Sequence, residues 1–320
     1  MNCMRLKKFP LTLILLLCMS CAFLSASGKN VIPFSIRYGM PTVRLTRSDG
    51  TEFYFYITMT ERSAISQRGL DRLLGPQETT LDRVMKILQY GYPDYPEEEI
   101  RNFATKTLKD GSCRYTVPVD GEFVTEGGLS CSFPGNVEII PEKEAGKGDY
   151  DVPVDGLLNI SFFGEHDNII IDYVHKTIEF DGEQITGKAE PLRKIVDDGD
   201  VLYVTKLSIN GIRQEAIIGT IDFFVLRDCY DEDLEYSDDE IVAFAKFGPE
   251  LPDMPYKKKV RYELCGTKGR VVGYKSTDSQ CSAFSAAKIR LHSMVNFIGY
   301  PIFKGHRIQL DFKNDLFRMD

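Results

Sequence analysis

Ser208-Ile-Asn-Gly-Ile-Arg-Gln-Glu-Ala-Ile-Ile218 reads as a strand, a two-residue turn and a second strand. Asn210-Gly211 supplies the positive φ angles that a tight hairpin turn demands, and Tyr203, Leu207 and Ile209 alternate on one side of the strand before it. An earlier stretch, Thr42 to Thr58, has the same plan: the turn Ser48-Asp49-Gly50, then the strand Glu52-Phe-Tyr-Phe-Tyr-Ile57. Further along, Gly156-Leu-Leu-Asn-Ile-Ser-Phe-Phe163 aligns without a gap on Asn296-Phe-Ile-Gly-Tyr-Pro-Ile-Phe303. After a one-residue difference, Asp172-Tyr-Val-His-Lys-Thr-Ile-Glu-Phe180 aligns on Asp311-Phe-Lys-Asn-Asp-Leu-Phe-Arg-Met319. Four landmarks in the same order make an internal repeat.

Each copy therefore runs hairpin, long middle, short apolar segment and closing hairpin. Copy one is expected over 31–180 and copy two over 201–320. The charged stretch 181–200, with Gly187 and Pro191, is the expected linker. The middle of copy one is longer. Its surplus falls at about 79–109, where Leu81, Val84, Met85 and Leu88, then Ile100, Phe103 and Ala104, have helical spacing. Pro93 and Pro96 separate the two helices.

The first residues decide the compartment. Arg5, Lys7 and Lys8 precede the apolar run Leu11 to Leu24, which ends in the small residues Ser25-Ala26-Ser27, so 1–27 reads as a signal peptide. Within that run Ser20-Cys21 resembles the end of a bacterial lipobox, with Cys18 where a leucine is usual, so acylation of Cys21 stands beside ordinary cleavage after Ser27. The expectation is an exported protein, periplasmic or at the cell surface, touching a membrane only through such an anchor. Arg5, Lys7 and Lys8 leave with the leader and no acid does, so the formal charge of −8 becomes −11. Without a basic stripe to neutralise phosphates, nucleic acid is a poor partner.

Beyond the leader stand Cys113, Cys131, Cys229, Cys265 and Cys281, an odd number whose pairing the sequence leaves open. No two of them lie at zinc-ligand spacing and the four histidines are scattered, so neither a metal nor a cofactor is expected; His166 reads as a loop residue between strands. The chain has no Gly-x-Ser-x-Gly elbow, no His-Glu-x-x-His and no Gly-Lys-Ser/Thr phosphate loop.

The repeat resembles the retropepsin-like aspartic proteases, in particular the kind with two copies in one chain. Ser208 to Ile218 is similar to the family's strand leading into its catalytic Asp-Thr/Ser-Gly. Ile139 to Phe180 and Val295 to Met319 are similar to its apolar-apolar-Gly segment and closing hairpin. The resemblance implies a mainly β fold: two acid-protease-like β units in a bilobal, pepsin-like arrangement, with a small helical insertion in the first. It also implies that Val124 to Cys131 and Cys265 to Tyr274, two glycine-rich hairpins, stand where the family carries its substrate-covering flaps; the reading of both as ordinary surface hairpins stands beside it.

The departure falls on the chemistry. The family's mechanism needs two carboxylates sharing one proton. At the positions that would hold them stand Thr58, in Thr58-Met59-Thr60, and Gly219, in Gly219-Thr220-Ile221-Asp222; no Asp-Thr-Gly or Asp-Ser-Gly occurs anywhere. Thr58 offers no ionisable proton near neutral pH and Gly219 has no side chain. Asp222 and its rough counterpart Glu61 are the surrogate acids within reach. Gly299 keeps the glycine of the apolar-apolar-Gly segment, where copy one has Asn159. Three readings follow: an inactive protease scaffold binding an extended peptide or protein segment along these loops, an active endopeptidase using Asp222 and Glu61, or a cell-envelope structural protein.

Overall fold

The computed structural model describes residues 30–37, 40–60, 62–75, 80–110, 116–119, 121–133, 136–139, 154–197, 200–220, 224–226, 235–236, 255–275 and 296–320. The leader with Cys21, the residues Glu61, Ile221 and Asp222, and Cys113, Cys229 and Cys281 lie outside them.

The first unit opens with β1 (Val31–Pro33), β2 (Ser35–Arg37) and the hairpin β3 (Met40–Arg47) and β4 (Glu52–Thr58). Its turn is built by Asp49, whose Oδ1 accepts the Thr51 amide at 2.9 Å, and by Gly50 at φ 85°. Alternation sends Val43, Leu45, Phe53, Phe55 and Ile57 into the core. After β5 (Ala64–Ile65) come three helices, α1 (Gln67–Leu74), α2 (Thr80–Gly91) and α3 (Glu97–Asp110). The last two occupy the expected insertion and pack Val84, Met85, Ile100 and Ala104 into a small core of their own. Glu97, Glu98 and Glu99 in the first turn of α3 complement its N-terminal dipole. Helix α1 is an addition to the expectation. Ser66 caps it, accepting the Gly69 amide at 3.2 Å while donating to the Val154 carbonyl at 2.8 Å.

The unit closes through β6 (Thr116–Pro118), β7 (Phe123–Thr125), β8 (Ser130–Cys131), β9 (Asn136–Ile139), β10 (Gly156–Asn159), a 3-10 turn at Ile160–Phe163, and the hairpin β11 (Asn168–Asp172) and β12 (Thr177–Phe180). The expected linker is partly sheet, because β13 (Ala189–Pro191) and β14 (Arg193–Asp197) lie within it. Leu192, 5% exposed between them, donates its amide to the Asp315 carbonyl at 2.8 Å and ties the crossing to the end of the chain.

The second unit runs β15 (Asp200–Ile209), β16 (Ile212–Ile218), β17 (Phe224–Leu226), β18 (Glu235–Tyr236), β19 (Pro255–Leu264), β20 (Thr267–Lys275), β21 (Asn296–Ile298), the short helix α4 (Tyr300–Phe303), β22 (Arg307–Asp311) and β23 (Leu316–Met319). Its sheet has the order β14-β15-β16-β21-β17-β20-β19-β18, and a further pairing of β15 with β19 closes six of these strands into a barrel. The first unit has the order β6-β9-β5-β10-β4-β3-β7-β8, with β2 on β3.

The registers repeat. In the first unit β10 lies parallel to β4, with Gly156 opposite Phe55 and Asn159 opposite Thr58, and antiparallel to β5. In the second, β21 lies parallel to β16, with Asn296 opposite Ala216 and Ile298 opposite Ile218, and antiparallel to β17. These are the pairs that the gapless alignment makes equivalent.

A six-stranded sheet, β1-β12-β11-β22-β23-β13, joins the units. Along its central ladder Asp172 faces Arg307, Ile170 faces Gln309 and Asn168 faces Asp311. Ile170 and Gln309 are equivalent positions of the repeat and face each other, so an approximate two-fold axis passes between them. The architecture is mainly β, two similar units joined by one sheet.

Candidate functional site

The loops that follow β4 and β16 meet beside this axis. Thr220 donates its hydroxyl to the carbonyl of Ile57, the residue before Thr58, at 2.6 Å, with both residues fully buried. The repeat places Met59 opposite Thr220. A thioether has no hydroxyl to return the bond, so Met59 offers no counterpart to the Thr220 bridge. Thr58 is 2% exposed and turns its Oγ1 back on its own loop, accepting the Thr60 amide at 3.2 Å and lying 3.4 Å from the Thr60 hydroxyl. Met59 is fully buried.

On the other side Gly219 donates its amide to the Ile298 carbonyl at 2.8 Å. A β-carbon here would overlap Cε1 and Cζ of Phe297, so the space a side chain would take is already filled by an aromatic ring. The glycine is held by packing. Neither of the two apolar-segment positions uses a left-handed backbone: Asn159 sits at φ −63° and Gly299 at φ −152°. Asn159 is a cap instead, its Oδ1 accepting the Ser161 amide at 3.0 Å and the Ser161 hydroxyl at 2.8 Å.

Among the described residues of these loops, Thr58, Met59, Thr60, Gly219 and Thr220, none carries an ionisable group. The remaining residues expected there, Glu61, Ile221 and Asp222, are among those outside the described segments.

A buried carboxylate not singled out in the sequence lies in the first unit, at the start of β10. Asp155 is fully buried, its Oδ2 accepting the Tyr54 amide at 2.7 Å. Its Oδ1 stands 3.1 Å from Arg72 Nε and 3.4 Å from Arg68 Nε. Burial raises this carboxyl, against the Tyr54 amide and the cations, which lower it. Arg68 and Arg72 are one turn apart on α1, so Asp155 clamps that helix to the sheet. Its Oδ2 is given to an amide, while Oδ1 holds the two guanidinium groups at ion-pair distance without a hydrogen bond, the arrangement of a clamp. The sequence signal was slight: an acid beside the apolar segment, with two arginines at i, i+4 nearly ninety positions earlier.

Neither glycine-rich hairpin is placed as a flap. Gly127 packs against the backbone of Val31 in the six-stranded sheet, where a β-carbon would overlap the Val31 carbonyl. Cys265 is 5% exposed at the β19–β20 turn, its thiol 3.5 Å from the Phe317 carbonyl of β23. Both turns are anchored to the joining sheet, so the expectation of two substrate covers is corrected. Cys131 and Cys265 are free thiols, each pushed up to about 12 by burial first and by a nearby acid second, so neither is a thiolate nucleophile at neutral pH. His166 stacks on Phe180 at 4.3 Å and bonds Asp181 and the Phe163 carbonyl, the part of a loop residue. Among the described residues no three His, Cys, Asp or Glu side chains gather as metal ligands.

No family model matches the chain, and no curated protein matches it in sequence. Among solved structures it is similar to basic 7S globulin from soybean, at 10% identity over 91% of this chain and 94% of that one, with a TM-score of 0.48.

Proposed function

We propose that this chain is an exported protein that keeps the acid-protease scaffold without its chemistry and binds an extended peptide or protein segment along the paired loops. The observation that carries the reading is the filled junction: Thr58 turned onto its own loop, Phe297 in the place of a side chain at 219, and Thr220 bonded to Ile57. A proton-sharing dyad needs two carboxyl groups a few ångströms apart. Here one position has a hydroxyl and the other has no room. The paired loops themselves persist, and an extended segment recognised by main-chain bonds needs strands and loops, not acids.

The test is hydrolysis and binding by the purified mature chain. Incubation with a diverse peptide library from about pH 3 to 8 is expected to give no cleavage, while a subset of extended peptides is retained saturably. Cleavage that survives purification and disappears in Asp222→Asn would replace this reading with an active endopeptidase. Absence of both cleavage and retention would leave a structural role in the cell envelope.

A further inference from the structure

On the outer face of the second unit, Arg261 of β19 and Arg270 of β20 are direct cross-strand partners. Both side chains are exposed, and among the described residues neither has an ion pair. The neighbouring rungs of the same face follow the opposite rule, Glu263 facing Lys268 and Lys206 facing Glu215. Opposite charges across a ladder stabilise it; like charges directly opposite destabilise it. Two arginines at facing positions, in a chain whose formal charge is −8, are an unbalanced local charge.

The same pair lines an open groove of about 480 Å³, together with Ser208, Asn210, Lys268 and Glu263. Glu263 lies 3.4 Å from Lys268, which accounts for that cation. Asn210 is fixed by the backbone of β19. Its amide donates to the Arg261 carbonyl at 2.8 Å and its Oδ1 accepts the Arg261 amide at 3.1 Å, which leaves its Nδ2 as a further donor at the groove. The groove is at the turn end of β16, the end opposite Gly219, so it is separate from the loop junction.

We propose that this groove is a binding site for a doubly charged phosphate group. Paired guanidinium forks bind such an oxyanion through parallel N–H donors, and the anion removes the repulsion between them. The group can come as free phosphate or as the phosphomonoester of a lipid headgroup, and the two sources are separable.

Inorganic phosphate is titrated into the full mature chain at constant ionic strength, with chloride as the balancing anion, following binding by calorimetry and the thermal midpoint. Vesicles of phosphatidylcholine with and without phosphatidic acid, whose headgroup is a phosphomonoester, form the second arm, read by cosedimentation. Arg261→Gln and Arg270→Gln are expected to weaken binding on the order of tenfold or more in whichever arm responds, since each removes charge-assisted bonds. Without ligand at low salt, the same variants are expected to unfold at a higher temperature than the parent, because the repulsion is gone. Lys259→Gln, an exposed cation of β19 outside the groove, is expected to change neither. Binding in neither arm, or binding that both arginine variants retain, would overturn the proposal.

Discussion

At Gly219 the backbone makes no demand that other residues would fail; the demand comes from Phe297, whose ring lies where a β-carbon would be. Gly219→Ala is therefore expected to cost about 1–3 kcal/mol in urea unfolding, the usual scale of overpacking. Phe297→Leu in that background is expected to recover part of the loss, a coupling that a double-mutant cycle reads directly. If the two costs simply add, the ring is not what excludes the side chain. The positions themselves were legible in the sequence, because the repeat aligns Thr58 with Gly219 and Asn159 with Gly299. What fills the site was not. Pattern and register say which face a residue takes, but the volume a phenyl ring sweeps at position 297 is a property of three dimensions. The Thr220 bridge to Ile57 was hidden for the same reason, since its partners are 163 positions apart and meet only once the units dock.

Among the elements, the two closing hairpins show how closely the copies agree. Each turns on an aspartate: Asp172 accepts the Val174 and His175 amides at 2.8 Å, and Asp311 accepts the Asn314 amide at 3.1 Å. Each leaves its turn through a residue at positive φ, Lys176 at 58° and Asp315 at 54°. Burial alone would raise the Asp172 carboxyl, but the His175 and Val174 bonds outweigh it and hold it below the ordinary carboxylate range. A carboxyl lowered in the folded state adds stability that is present above its unfolded value, near about 3.9, and is lost as pH falls through the folded value. Urea midpoints measured from about pH 6 down to about pH 2.5 are thus expected to fall more gently at the acid end in Asp172→Asn than in the parent. An unchanged slope would remove the turn from the acid response. Hairpins and the two insertion helices were legible because turn residues and periodicity are local signals. Helix α1 was not, because its anchor, Asp155, is remote in sequence; nor was the seating of the glycine-rich turns, since Gly127 is explained by Val31 on another sheet.

For the whole molecule the six-stranded sheet is the decisive feature, since β1, β11 and β12 come from the first unit and β13, β22 and β23 from the region after it. One apolar cluster runs through it, from Ile57 and Leu158 through Ile171 and Leu310 to Ile218 and Ile298. Unfolding of the chain is expected to be a single transition, with far-ultraviolet circular dichroism and tyrosine fluorescence coinciding. Two separated transitions would mean that the units hold together independently of the sheet. The rung Ile170–Gln309 sits on the axis, so a chain with only the second unit would find in a second copy of itself the ladder it lacks, β22 against β22, as in an isologous dimer. Joining the copies in one polypeptide releases them from that identity. A true homodimer must accept every substitution twice, once on each side of the axis. Here one half carries the inserted helices and Met59, the other the closed barrel and Thr220, and each has diverged without asking its counterpart to follow.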